Sequence, residues 1–171
     1  EKAMKNIVLI GMPGCGKSTF GKRLARRLGY KFYDADDVLE QREQRTIKDF
    51  FAESEDAFRA AETRTLAFLA ELEGAIIATG GGAVKRAENM ELMKCKGVVV
   101  FLDRKPEQIL GNIEGDARPL LAADKQRIFN LYEERIELYR KYADKIITNT
   151  GEFGKTLAAL EGYAKEIAEK G

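Results

Sequence analysis

Gly11-Met12-Pro13-Gly14-Cys15-Gly16-Lys17-Ser18-Thr19 follows an apolar run, Ile7-Val8-Leu9-Ile10, and opens a helical pattern that continues to Leu28. The spacing is that of the phosphate-binding loop, G-x-x-x-x-G-K-[ST], which carries weight only with a strand before it and a helix after it. Both are readable here. Gly11, Gly14 and Gly16 allow a tight backbone turn whose N–H groups come close to an anion. The helix beginning at Lys17 directs the positive end of its dipole at the same point. On this reading Gly14, Cys15, Gly16, Lys17, Ser18 and Thr19 cradle the phosphates of a nucleoside triphosphate. Lys17 reaches the β- and γ-phosphates, and Ser18 places its hydroxyl on Mg²⁺. A glycine-rich turn with nothing bound is the weaker reading, because motif and context agree.

The chain is 171 residues long, the size of a single domain spanning 1–171 with a substantial core. Hydrophobic residues at 44% and charged residues at 33% place it among globular proteins rather than disordered ones. The 29 basic and 28 acidic residues leave a net charge of +1, so no overall field draws in nucleic acid or an anionic membrane. Cys15 and Cys95 have no metal-ligand spacing and there is no histidine, which excludes a zinc site and a histidine-based triad. Any general base is therefore a carboxylate. No apolar run reaches the length of a membrane span and no signal peptide precedes the first strand, which with few cysteines leads to the cytoplasm as the expected place; a small charged domain of this kind is expected to be a monomer.

Apolar runs alternate with helical patterns along the chain. Strands are expected at Lys5–Ile10, Lys31–Asp34, Ala75–Thr79, Gly97–Leu102 and Lys145–Asn149. Helices are expected at 17–28, 36–43, 46–52, from Ser54 to Gly74, at 86–95, from Pro106, from Asp124 to Ala143 and at 152–169. Residues 111–123 are poorly periodic. Five strands alternating with helices predict a three-layer α/β/α protein with a five-stranded parallel sheet. Such sheets bind ligands beyond the carboxyl ends of their strands.

Three further groups fall at those ends or on the intervening helices. Asp34 and Asp36 sit two residues apart, so in an extended backbone they face the same way. One could hold a metal-bound water while the other takes or orients a hydroxyl proton; a helix cap at Asp36 explains the pair equally well. Gly80-Gly81-Gly82 costs conformational entropy, which close approach to a ligand compensates. Arg59 and Glu62 are spaced to pair on one helix face, and Arg135 lies among Glu133, Glu134 and Glu137, an ordinary solvated setting. Arg118 lies in the irregular stretch, where a lid could swing it onto a transferring phosphoryl group. Cys15 is either a thiol tuned by the helix N-terminus or a small residue that fits.

Taken together, GMPGCGKSTFGKRLA, FYDAD, AFRAAE, ATGGGAV, RPLL and RIELY resemble the shikimate kinases in order and spacing, from Asn6 to about Thr150. The resemblance implies a nucleoside monophosphate kinase-like fold and phosphorylation of the 3-hydroxyl of shikimate by ATP, a step of chorismate and aromatic amino acid biosynthesis. It implies that Lys17 and the loop amides hold ATP, and that Ser18 binds Mg²⁺ with Asp34 in the outer shell. Asp36 would contact the ring hydroxyls and help deprotonate or orient the 3-hydroxyl. Arg59 and Arg135 would clamp the carboxylate, Glu62 would orient Arg59 or reach the substrate, and the Gly80, Gly81 and Gly82 backbone would pack against the ring. Arg118 would close onto the phosphates. The family usually carries arginine a few residues before RPLL, over adenine; here that stretch reads Leu110-Gly111-Asn112-Ile113. Two other readings use the same loop. A gluconate or nucleoside monophosphate kinase needs neither both arginines nor the triple glycine. A nucleotide switch would carry Asn-Lys-x-Asp, whereas Asn149 is followed by Thr150-Gly151.

Overall fold

Strand β1, Asn6–Ile10, is buried at every position, as an unbroken apolar run requires of a strand covered on both faces. The computed structural model describes residues 4–114 and 122–170. In it β1 runs parallel to β3, Ala75–Ala78, on one side and to β4, Gly97–Asp103, on the other, with Val8 level with Ile77 and Val99. β2, Lys31–Asp34, adds beyond β3, and β5, Lys145–Thr148, beyond β4. The order is β2-β3-β1-β4-β5 and every pairing is parallel. The chain fills one side of β1 first and then the other. The carboxyl end of β1 is thus the switch point at which such sheets hold ligands, and the glycine-rich loop occupies it.

Helices flank the sheet. α1, Lys17–Leu28, and α8, Phe153–Lys170, pack together; so do α4, Glu55–Leu69, and α5, Ala87–Cys95. α6, Pro106–Glu114, lies against α7, Ala122–Tyr142. The main core joins Leu9, Ile10, Leu24, Leu66, Ile76 and Phe101 across the layers. A smaller cluster of Leu39, Phe50, Phe58 and Ala61 binds α4 to α2, Ala35–Glu43, and α3, Ile47–Glu53. Those short helices are therefore one packed unit beside β2. No helix among the described residues is long and apolar enough to cross a membrane.

Several boundaries differ from the sequence expectations. α4 stops at Leu69, five residues before Gly74. Its end tightens into i→i+3 bonds, from Glu71 N–H to Phe68 and from Leu72 N–H to Leu69, the usual way orphan carbonyls are satisfied there. Gly74, at φ 65, serves the following turn instead. α6 runs on through Glu114 and α7 is helical from Ala122, two residues before Asp124, so 111–114 and 122–123 of the poorly periodic stretch are helical. The last strand stops at Thr148, and Asn149 turns inward.

Candidate active site

The loop after β1 takes its shape from three left-handed or otherwise positive-φ glycines, Gly11 at 149°, Gly14 at 82° and Gly16 at 103°. These are conformations that side chains with a Cβ rarely adopt. Lys17 folds back over the loop, and its Nζ donates to the carbonyls of Gly11 at 2.7 Å and Met12 at 2.9 Å. Gly14, Gly16, Lys17, Ser18 and Thr19 line one wall of a cleft of about 350 Å³; Asp34, Asp36, Gly80 and Gly81 line the other. Cys15 differs from the rest of the motif. Its side chain is fully buried and its N–H donates to the Met12 carbonyl at 3.1 Å. Its Sγ lies inside the loop, 3.7 Å from Lys17 Nζ.

Asp34 ends β2 and caps α2: its Oδ1 accepts from the N–H groups of Asp36, at 3.0 Å, and Asp37. The cap is therefore Asp34 and not Asp36, which lies in the first turn of the helix. The extended-backbone argument for the pair does not hold, yet the helix turn brings both carboxylates to the same cleft. Oδ2 of Asp34 accepts from the Ser18 hydroxyl at 2.8 Å. A hydroxyl and a carboxylate in contact are the sparse donor set that Mg²⁺ completes with phosphate oxygens and water. No group of three acidic, cysteine or histidine side chains among the described residues could hold a metal unaided. The Asp36 carboxylate accepts from no hydroxyl among the described residues. Burial, then the neighbouring charges of Asp34 and Glu62, push its carboxyl up to about 6 against the pull of Lys17.

Arg59 and Glu62 do pair, Nη1 to Oε1 at 2.8 Å, but both are buried rather than solvated. Burial raises the Glu62 carboxyl, with Arg59 opposing. Arg135 is likewise buried, despite its acidic neighbours in sequence. What brings these groups together is the triple glycine. A Cβ on Gly80 would lie 3.0 Å from Asp36 Oδ1 and 3.0 Å from Glu62 Oε2. On Gly81 it would meet Pro13 at 2.8 Å and Arg135 Nη1 at 3.1 Å, and on Gly82 Arg59 Nη1 at 2.7 Å. The close approach that demands glycine is made by these side chains themselves, and none of the three needs a positive φ.

Arg118 lies outside the described residues. Two residues at the site had not been singled out from sequence. Tyr139, one helical turn after Arg135, is fully buried, stacks on Phe101 and donates its hydroxyl to the Gly81 carbonyl at 2.6 Å. Burial pushes that hydroxyl up to about 12, with Arg135 working the other way. Arg104, just past the carboxyl end of β4, is buried beside Gly14. The i, i+4 spacing from Arg135 marks Tyr139, and a charge directly after a buried strand marks Arg104.

The family model described as shikimate kinase matches residues 13–167. A shikimate kinase from Clostridium botulinum (strain Eklund 17B / Type B) is 44% identical over 165 residues, 96% of this chain and 98% of its own. The crystal structure of a shikimate kinase from Bacteroides thetaiotaomicron superposes with a TM-score of 0.84 at 31% identity, over 95% of this chain and 99% of that one. One from Acinetobacter baumannii, in complex with shikimate, gives 0.79 at 36% identity over 97% and 92%. Loop, acidic pair, buried arginines and glycine wall thus occur in a chain that matches these proteins almost end to end. The chain belongs to the shikimate kinase family and is an enzyme that phosphorylates shikimate with ATP, in aromatic amino acid biosynthesis.

Proposed function

We propose that shikimate lies against Gly80–Gly82, its carboxylate held by Arg59 and Arg135, while the loop from Gly14 to Thr19 holds ATP. The observation that carries this reading is a pair of buried polar atoms without hydrogen-bond partners, Glu62 Oε2 and Arg135 Nε, beside Arg59, whose Nε reaches only Glu55 at 3.5 Å. Orphaned buried polar atoms are costly, and their concentration beside one cleft calls for a ligand that satisfies them. Shikimate brings one carboxylate and three hydroxyls. Planar guanidinium forks suit the carboxylate, and Glu62 and Asp36 accept from hydroxyls.

Asp36 is the base in this reading. As the 3-hydroxyl oxygen bonds to the γ-phosphorus, its proton passes to the Asp36 carboxylate, and the bond from phosphorus to the departing ADP breaks. Little covalent work falls to the protein, because phosphoryl transfer is governed by positioning and charge compensation. Lys17 supplies charge from the loop, and Arg118 from residues 111–124. Ser18 and Asp34 would hold Mg²⁺, which would offset negative charge on the phosphates. One chain furnishes every group, so a monomer suffices, and the whole of 1–171 acts as one catalytic unit in the cytoplasm.

The test is steady-state kinetics of Arg59→Ala and Arg135→Ala with ATP, Mg²⁺ and shikimate. Losing a charge-assisted hydrogen bond, worth about 1.5–3 kcal/mol, raises the KM for shikimate roughly 10- to 100-fold, with the KM for ATP within about twofold. Equal rises for both substrates would overturn the carboxylate clamp.

A further inference from the structure

Arg104 is an anomaly beside the phosphate loop. Its side chain is nine-tenths buried, at 9% exposure. Its Nε has no hydrogen-bond partner. Among the described residues its one polar contact is a long one, Nη1 to the Gly14 carbonyl at 3.5 Å. The adjacent carboxylate is committed elsewhere: Asp103 Oδ2 pairs with Lys105 Nζ at 3.2 Å, and Oδ1 accepts from the Tyr132 hydroxyl at 3.0 Å. No carboxylate among the described residues pairs with Arg104. A guanidinium cannot shed its charge by losing a proton, and a buried charge without a partner is strongly unfavourable. The fold tolerates one here, at the mouth of an anion-binding loop.

The surroundings indicate which anion. Arg104 lines a second cleft, of about 200 Å³, with Gly16, Thr19, Asn149, Gly151 and Phe153. Gly16 and Thr19 line the first cleft as well, so the two meet across the start of α1. Asp36 and the glycine wall face only the first. A nucleotide with its terminal phosphate toward Asp36 would extend past Gly16 and Thr19 into the second cleft. The wall there is fixed. Asn149 donates through Nδ2 to the Cys15 carbonyl at 3.0 Å and accepts from Gly151 N–H at 3.1 Å. Phe153 stacks on Phe20 with ring centroids 4.7 Å apart.

We infer that Arg104 is a nucleotide-binding residue of this enzyme, its unpaired guanidinium held ready for the ATP or ADP that spans the two clefts. The inference rests on the reading of the Gly14–Thr19 loop as the phosphate site. Nucleotide binding neutralises the buried charge, so Arg104 tightens both ATP and ADP and contributes nothing to shikimate affinity.

The experiment measures ADP binding by calorimetry without shikimate, initial rates with each substrate varied, and the melting temperature of the free protein, for Arg104→Met and Arg104→Lys. In Arg104→Met the Kd for ADP and the KM for ATP rise about tenfold while the KM for shikimate stays within about twofold. The free protein melts no lower than the parent, because an unpaired buried charge has gone. Arg104→Lys recovers part of the affinity, retaining charge without the planar fork. ADP affinity within twofold of the parent in Arg104→Met overturns the inference. So do joint rises in both KM values with a lower melting temperature, or an Arg104→Met protein that does not fold, since either makes the residue structural. A parent enzyme that binds no ADP would instead undo the reading of the loop, so the two failures are distinguishable.

Discussion

Asp36 is held where ionisation is unfavourable, and its chemistry follows from that. Its carboxyl is raised from 3.8 to about 6 by burial and by Asp34 and Glu62. A carboxyl with a raised pKa stabilises the fold through its protonated form. That contribution is complete below pH 3.8 and is lost as pH rises through about 6. Asp36→Asn therefore gains stability over the parent at pH 7.5, by about 1 kcal/mol once partial solvent exposure is discounted. The melting temperature rises about 2–4 °C; at pH 3.5 the difference disappears. The same variant loses about 10²- to 10⁴-fold in kcat, the usual worth of a positioned base. In the parent, kcat/KM falls as Asp36 is protonated below about pH 6. A flat profile from pH 5 to 7.5 would exclude Asp36 as the base. From sequence alone the Asp34–Asp36 pair was ambiguous, since helix cap and site carboxylate use the same residue type. The structure divides the roles, giving the cap to Asp34. Arg59, Glu62 and Arg135 were legible only as ordinary helix-surface residues until family resemblance was added, because burial is a tertiary property that local spacing does not encode.

α4 carries two of those residues, and its start fixes where they point. Ser54 ends α3 and opens α4, and its hydroxyl accepts from Ala57 N–H at 3.0 Å. Ser54→Ala removes that cap at a cost of about 1 kcal/mol, lowering the melting temperature by about 2–4 °C. An unchanged melting curve would show that packing around Phe50 and Phe58 alone sets the junction. This start was readable because a cap is a local device. The helix end was not. Gly74 resembles a stop signal, but the chain leaves the helix earlier to align Ala75 with Asn6, whose Oδ1 accepts the Ala75 N–H at 2.9 Å. The sheet set that boundary, and nothing within the helix announces it. The strands were easier, since Ile7–Ile10 and Val98–Val100 are too uniformly apolar to lie anywhere but between two layers.

Across the whole molecule, the parallel five-stranded sheet and the place of the glycine-rich loop were legible, because alternation of strand and helix leaves few topologies. The way the second half of the chain completes the site was not, since each such contact joins residues far apart in sequence. The longest reaches from Asn149 to the carbonyl of Cys15, 134 residues earlier. During translation the loop leaves the ribosome early and its clasp arrives near the end. A growing chain therefore passes most of its synthesis without a finished nucleotide cradle, and activity arises only when the last strand docks. Ribosome-stalled chains ending at residue 140 should retain no ATP on washing, whereas full-length stalled chains with a linker should retain it; capture by the shorter ones would contradict this order of assembly.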